Sequence, residues 1–515
     1  MIHLFKNWKK DLPASLVVYL VALPLCLGIA LASTGDSARL FSGIISGIIG
    51  GIIVGFISGA RLGVSGPAAG LITIVSGAIA TIGSFEGFLV ALVLSGIIQV
   101  IASYLKAGVI GYYFPSSVIK GMLAAIGIIL ILKEIPHALG YDADFMGDDA
   151  FFQNDSHNTI SELFYAIKAI SPGAIIISIL SIIILVLFDR PFMKRFGLFK
   201  LLPGALFVVL IGVGLNEFYK VYVPSYLLSN EHLVNLPVSN SFKEFTSFFV
   251  FPDFSFLANK DVYIVALTIA LVGSLETLLS VEAIDKLDPD KYVTPKNREL
   301  AAQGIGNIVS GLVGGLPITQ VIVRSSANVT SGGKSKLSAI VHGVFLLVTV
   351  VFIPFYLNLI PLASLSAILL MVGYKLSKIG LYKKMYQLGM GQFLPFIITI
   401  LAVLFTDLLK GISIGIFIAI LFILKRDHKN AYKKVDQRNE EGIIRIVLSE
   451  QITFINKGTI LDLLLKLPND SEVELDGTKS KEIDFDVQEL IHDFKNHEAV
   501  KRNIKISLLG IPNIK

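Results

Sequence analysis

Apolar runs long enough to cross a bilayer recur from residue 12 to residue 425, and they limit what this 515-residue chain can become. Glycine, proline and charge breaks divide them into segments. The first half reads 12–32, 40–59, a short piece 67–82, 86–105, 116–133, 173–188 and 201–217. The second half reads 262–284, 299–314, a short piece 318–330, 337–357, 360–376, 393–408 and 411–425. Each half holds seven, and the third member of each is too short to span alone. Length by itself suggests about three domains. With 54% hydrophobic and 16% charged residues and a mean hydropathy of +0.73, there is too little charge to cover a soluble surface of that size. The fold class expected is an α-helical polytopic membrane protein with fourteen transmembrane segments.

The loops orient those segments. Lys6, Lys9 and Lys10 precede the first run, and IALAS at 29–33 resembles a cleavage site. The run is longer than a signal core, and Pro24 and Gly28 break it, so it reads as a first transmembrane helix. Basic residues then collect at 189–200, 331–336, 375–384 and from Lys425 onward, while 134–172 carries Asp142, Asp144, Asp148, Asp149 and Asp155. The positive-inside rule places both termini in the cytoplasm. The lone cysteine, Cys26, leaves no internal disulfide and reads as a packing residue.

The halves echo one another. GIIGGIIVGFISGARLGVSGPAAGL (47–71) matches GIGNIVSGLVGGLPITQVIVRS (304–325), and FPSSVIKGMLAAIGIILILKE (114–134) matches IPLASLSAILLMVGYKLSK (360–378). Seven is odd, so the second copy enters from the opposite side. Such an inverted repeat predicts a transport site at midplane, where broken helices meet. The domains expected are a first repeat 1–217, an outer linker 218–261, a second repeat 262–425, a charged linker 426–440 and a small α/β unit 441–515. In that unit GIIRIVLSEQITFIN reads as a strand pair, 461–468 as a helix, SEVELDG as a strand, FDVQELIHDFKNHEAV as a helix and IKISLLG as a last strand.

Chemistry concentrates in few places. Glu276, inside an apolar segment, is costly to bury and suits a proton carrier, with Ser280 one turn further on the same face. Glu282 reads as a solvated helix end. Pro67 and Pro317 read as entries to half-helices, whose free N–H groups favour an anion. Ala68, Ala69 and Gly70 keep the first such backbone accessible. Thr319 and Gln320 can donate to substrate oxygens, and Arg324 supplies positive charge. Gln99, Lys120 and His342 read as helix contacts or end residues. No Walker A, dinucleotide or HExxH motif is present, and the histidines are scattered, so no enzyme activity, cofactor, metal or nucleic-acid partner is expected. Energy must come from an ion gradient or from the substrate's own.

VALPLCLGIALASTG (21–35), GVSGPAAGLITIV (63–75), SLETLLSVEAID (274–285) and above all QGIGNIVSGLVGGLPITQVIVRSSANVTSGGKSKLSAIVHG (303–343) resemble the SulP family of inorganic anion transporters over nearly the whole chain. The resemblance implies two inverted repeats forming core and gate domains, an elevator-like motion, a homodimer and a cytosolic STAS domain. It places the anion, sulfate or bicarbonate, at Ala68–Gly70 and Thr319–Val321 beside Arg324. It also implies proton symport, since proton-linked relatives carry Glu at the Glu276 position. Sodium-linked bicarbonate relatives tend to carry Asp there and Thr at the position of Ile322. The tail departs: Ile483-Asp484-Phe485-Asp486-Val487 lacks the serine of the STAS helix start, which points to a divergent STAS-like unit. A sodium-coupled symporter, a passive anion exchanger or channel and a nucleobase–proton symporter stay open as alternatives. A cytoplasmic membrane location is expected.

Overall fold

The computed structural model describes residues 6–146, 151, 158–190, 203–238, 242–429, 431–436 and 443–512. The basic stretch at 191–200, and Asp148, Asp149 and Asp155, lie outside them. The chain divides into two compact units, Met1–Ile416 and Phe417–Lys515.

In the first unit, helices occupy the apolar segments. The first half supplies α1 (Trp8–Thr34), α2 (Ser37–Ile57), strand β1 (Ser65–Pro67), α3 (Ala69–Ile82), α4 (Phe85–Tyr104), α5 (Ser116–Leu139), α6 (Thr159–Lys168), α7 (Pro172–Asp189) and α8 (Gly204–Tyr222). The second supplies α9 (Lys260–Leu287), α10 (Lys296–Leu312), strand β2 (Ile318–Gln320), α11 (Ile322–Thr330), α12 (Leu337–Phe352), α13 (Leu362–Leu376), α14 (Ile379–Gln387), α15 (Met390–Phe405) and the start of α16 (Leu408–Lys429), which continues past Ile416 into the second unit. Eight helical stretches among the described residues are long and apolar enough to cross a membrane.

Packing sorts these helices into two groups. In one, α1 lies against α2, α3, α11 and α12, and α4 lies against α9 and α10. In the other, α5 lies against α13 and α15, and α7 against α8 and α13. Glycines set the closest crossings. A methyl on Gly96 would lie 2.5 Å from Gly304 O, and one on Gly51 would lie 2.6 Å from Gly343 Cα. Gly127 and Gly373 meet reciprocally, each Cβ position 2.7 Å from the other's carbonyl. Lipid chains are as apolar as leucine, so close backbone approach is what such helices gain from packing.

The half-helices start later than predicted. Pro67 and Ile318 belong to strands, not to first helical turns: Ser65, Gly66 and Pro67 pair antiparallel with Gln320, Thr319 and Ile318. A broken helix inside the unit leaves backbone groups that must find partners away from water, and the short ladder supplies them. Two predicted loops also contain helices. α5 runs through Pro136 to Leu139 and α6 fills 159–168, while α14 occupies most of the basic 375–384 connection.

The second unit holds β3 (Tyr432–Asp436), β4 (Ile444–Leu448), β5 (Gln451–Ile452), α17 (Lys457–Leu465), β6 (Glu472–Asp476), β7 (Glu482–Ile483), α18 (Phe485–Asp493) and β8 (Lys505–Leu509). The sheet order is β3-β4-β6-β8, antiparallel at β3–β4 and parallel thereafter. Ile446, Leu448, Val473 and Leu475 face Ile460, Leu464, Val487 and Ile491 in one core. Three expectations change here. The charged linker 426–440 contains the end of α16 and all of β3. The strand pair expected within GIIRIVLSEQITFIN does not pair with itself: β4 joins β3 and β6, and β5 pairs with β7. The helix placed at 461–468 begins at Lys457 and stops before Pro468, which cannot continue it. Asp484 caps α18, its carboxylate accepting from Asp486 N at 3.0 Å.

Candidate functional site

The site is built on the β1–β2 ladder. Each strand runs straight into a helix: β1 through Ala68 into α3, and β2 through Val321 into α11. Ala68 and Val321 share extended dihedrals (φ −108°, ψ 128° and φ −109°, ψ 133°), and neither helix start has a side-chain cap. The first N–H groups of both are therefore presented without a capping oxygen. The ladder continues by one bond, Val321 N donating to Val64 O at 3.0 Å. Ser325 locks the turn, its hydroxyl donating to Val321 O at 2.6 Å and accepting from Val64 N at 2.9 Å.

α10 holds β2 from behind. Asn307 grips both backbone groups of Ile318: its Oδ1 accepts from Ile318 N at 2.6 Å, and its Nδ2 donates to Ile318 O at 3.2 Å and to Gln99 Oε1 at 2.7 Å. Gln303 Nε2 donates at 2.8 Å to both Ser65 Oγ on β1 and Glu299 Oε1. Ser58 donates to the other oxygen of Glu299. On α9, Thr277 Oγ1 accepts from Gln320 N at 3.4 Å. Glu299, Gln303, Asn307 and Thr277 are all fully buried and were not singled out from sequence. A signal was available: residues 299, 303 and 307 recur every four positions, which puts them on one helix face.

In front of the ladder lies a cavity of about 170 Å³. Pro67, Ala69, Gly70 and Thr73 line it from the first half-helix, Val321 and Arg324 from the second, and Glu276 and Ser280 from α9. Leu25 and Ile29 of α1, Ile129 and Leu130 of α5 and Asp407 before α16 also line it. Glu276 is 5% exposed and packs against the first turn of α3: a methyl on Gly70 would lie 3.1 Å from its Oε1. Arg324 is 1% exposed, and both of its terminal nitrogens lack hydrogen-bond partners among the described residues. Its guanidinium lies over Gly66, where a methyl would come within 2.3 Å of Nη1, and near Cys26, whose Sγ faces Gly47.

The structure thus gathers Ala69, Gly70, Val321, Arg324, Glu276 and Ser280 around one space. Ala68, Thr319 and Gln320 do not line it. Gln320 turns its amide toward Gly63, and Thr319 points its methyl toward Gly273. Both belong to the ladder, and neither side chain lines the cavity. Glu282, expected as a solvated end, is held by Lys296 at 2.7 Å and Lys286 at 3.2 Å. Gln99 does make helix contacts, bonding Asn307 and, at 3.4 Å, Ser274 Oγ. His342 is buried; its Nδ1 meets Ala339 O at 2.5 Å, and its Nε2 has no partner among the described residues. A small cavity with two uncapped helix starts, a buried guanidinium and two carboxylates in its lining, Glu276 and Asp407, is suited to a small anion.

Comparison with known proteins points the same way. YvdB of Bacillus subtilis is 28% identical over 425 residues, covering 82% of this chain and 74% of that protein. The bicarbonate transporter BicA of Picosynechococcus is 25% identical over 477 residues, covering 90% of this chain and 79% of BicA. Among solved structures, the transmembrane domain of a cyanobacterial BicA matches with a TM-score of 0.51 at 21% identity, over 81% of this chain and 98% of that domain. SLC26A9 matches with a TM-score of 0.66 at 15% identity, over 98% of this chain and 84% of that one. The profile of the Sulfate permease family matches residues 8–399, nearly the whole of the first unit, and the chain belongs to that family.

Proposed function

We propose that the protein is a proton-coupled symporter of a small inorganic oxyanion, sulfate or bicarbonate, working by an elevator-type alternating-access motion. The observation that carries this reading is the convergence of Gly70, Arg324 and Glu276 on one cavity. The anion sits before the two helix starts, drawn by their N–H groups and by Arg324. Glu276 carries the proton, and its protonation removes the negative charge that would otherwise repel the anion. The helix group bearing the ladder moves as the carrier against the group built on α5 and α13. Fourteen segments in two inverted repeats are consistent with the reciprocal Gly127–Gly373 contact, whose partners stand in the same place in the two halves. The protein sits in the cytoplasmic membrane with both termini inside, acts as a homodimer, and carries a divergent STAS-like unit after α16.

Uptake of labelled sulfate and bicarbonate into proteoliposomes tests this, with a pH gradient, a sodium gradient or neither. Uptake driven by the pH gradient, and lost in Glu276→Gln while anion exchange persists, is the expected result. Uptake driven by sodium and indifferent to pH favours the sodium-coupled reading. Exchange without any gradient response favours a passive carrier.

A further inference from the structure

A second concave site lies away from the transport cavity. A groove of about 590 Å³ runs between the C-terminal ends of α7 and α13. Its walls change character along its length. Ile182 and Val186, one turn apart on α7, face Leu370 of α13. At the mouth stand Arg190, which follows the last residue of α7, and Lys378, just beyond α13. Lys375 is neutralised by Asp189 at 2.8 Å. Neither Arg190 nor Lys378 has an acidic partner among the described residues, and within those residues the two cations stand beside an apolar slot.

Three features set this mouth at the level of lipid headgroups. α7 turns apolar side chains outward, with Ile179 55% and Leu187 50% exposed, as a bilayer-facing helix does. Tyr374, beside the groove, is 61% exposed, and aromatic residues favour the membrane interface. α14 begins directly after Lys378 and combines exposed Ile379 and Tyr386 with Lys383 and Lys384, an interfacial composition. A soluble anion has no use for the apolar slot, and a soluble protein partner would have to displace lipid from α7. A ligand that is anionic at one end and apolar along its length fits both parts.

We infer that this groove binds an anionic phospholipid, its phosphate held between Arg190 and Lys378 and one acyl chain lying along Ile182, Val186 and Leu370. Basic pockets at the ends of transmembrane helices recognise such headgroups through charge. The full chain, purified in detergent and stripped of lipid, is offered phosphatidylglycerol or phosphatidylcholine, and bound lipid is counted by native mass spectrometry. Wild type retains phosphatidylglycerol in preference to phosphatidylcholine, and millimolar inorganic phosphate does not displace it. Arg190→Ala with Lys378→Ala weakens phosphatidylglycerol retention about 25-fold, each cation near an anionic headgroup contributing a factor of about five. The charge-conserving pair Arg190→Lys with Lys378→Arg keeps the preference, as does Lys479→Ala with Lys481→Ala, which removes two exposed charges of the second unit. Equal retention of both lipids by wild type, an unchanged preference in the alanine pair, or displacement by inorganic phosphate overturns the inference.

Discussion

Gly70→Ala tests the site at its tightest point. The added methyl would sit 3.1 Å from Glu276 Oε1 and 3.2 Å from both Cδ and Oε2. Ordinary contact begins near 3.4 Å, so the carboxylate must retreat by a few tenths of an ångström. The obstructed atoms are the end of a movable side chain, so folding loses only the low end of an overpacking cost, about 1 kcal/mol. Binding loses more. On the proposed reading the methyl covers backbone that the anion approaches and displaces the acid beside it, removing the equivalent of one charge-assisted hydrogen bond, about 1.5–3 kcal/mol. The KM for anion uptake into proteoliposomes should therefore rise at least tenfold while the unfolding midpoint barely moves. Gly77→Ala is the matched control on the same helix. No atom lies within 4 Å of its Cβ position, and replacing a helical glycine with alanine adds up to about 1 kcal/mol of stability. It should transport as wild type does and melt slightly higher. An unchanged KM in Gly70→Ala, or equal loss of transport in both variants, refutes the argument that the anion occupies the space between α3 and Glu276.

Arg324→Ala should raise the anion KM by about ten- to a hundredfold, the loss expected for a buried charged hydrogen bond; an unaltered KM removes Arg324 from the binding site. Asn307→Ala strands the N–H and C=O of Ile318, at about 1–3 kcal/mol each, and should lower the thermal midpoint together with transport; Asn307→Asp keeps one acceptor for Ile318 N and should recover part of the loss. Outside the membrane helices, Asp142 binds His232 at 2.5 Å and also meets His137 at 2.5 Å. The two histidines hold its carboxyl below its ordinary value despite burial, and that carboxylate raises His232. The Asp142 contribution to stability is present above its unfolded value of about 3.9 and lost as pH falls through the lowered folded value. The His232 contribution is present below about 6.5 and lost as pH rises through its raised folded value. The unfolding midpoint should therefore be highest between those two pH values, and Asp142→Asn should flatten the profile; a profile unchanged by Asp142→Asn refutes the pairing.

What could be read from the sequence depended on how much each residue costs in an apolar setting. Glu276 and Arg324 stood out because a charge in a membrane segment is expensive enough to demand a reason. Asn307 and Gln303 are uncharged amides, cheaper to bury, and blended into a glycine-rich run even though their spacing of four already marked a face. The strands were out of reach for a different cause. Ser-Gly-Pro and Ile-Thr-Gln have no strand signature of their own, and each is extended only because the other lies beside it, some 250 residues away. That pairing also decides which side chains matter. Neighbouring residues of a strand point to opposite faces, so Thr319 and Gln320 could never both have faced one anion. The motif names the right loop, but neither polar side chain lines the cavity, whereas the next residue, Val321, does. On the proposed reading the ligand meets backbone at the two helix starts, with Glu276 and Ser280 of α9 and Arg324 of α11 supplying the side chains around it. This explains why Gly70, a residue with no functional group, is the position where a single added carbon should matter most.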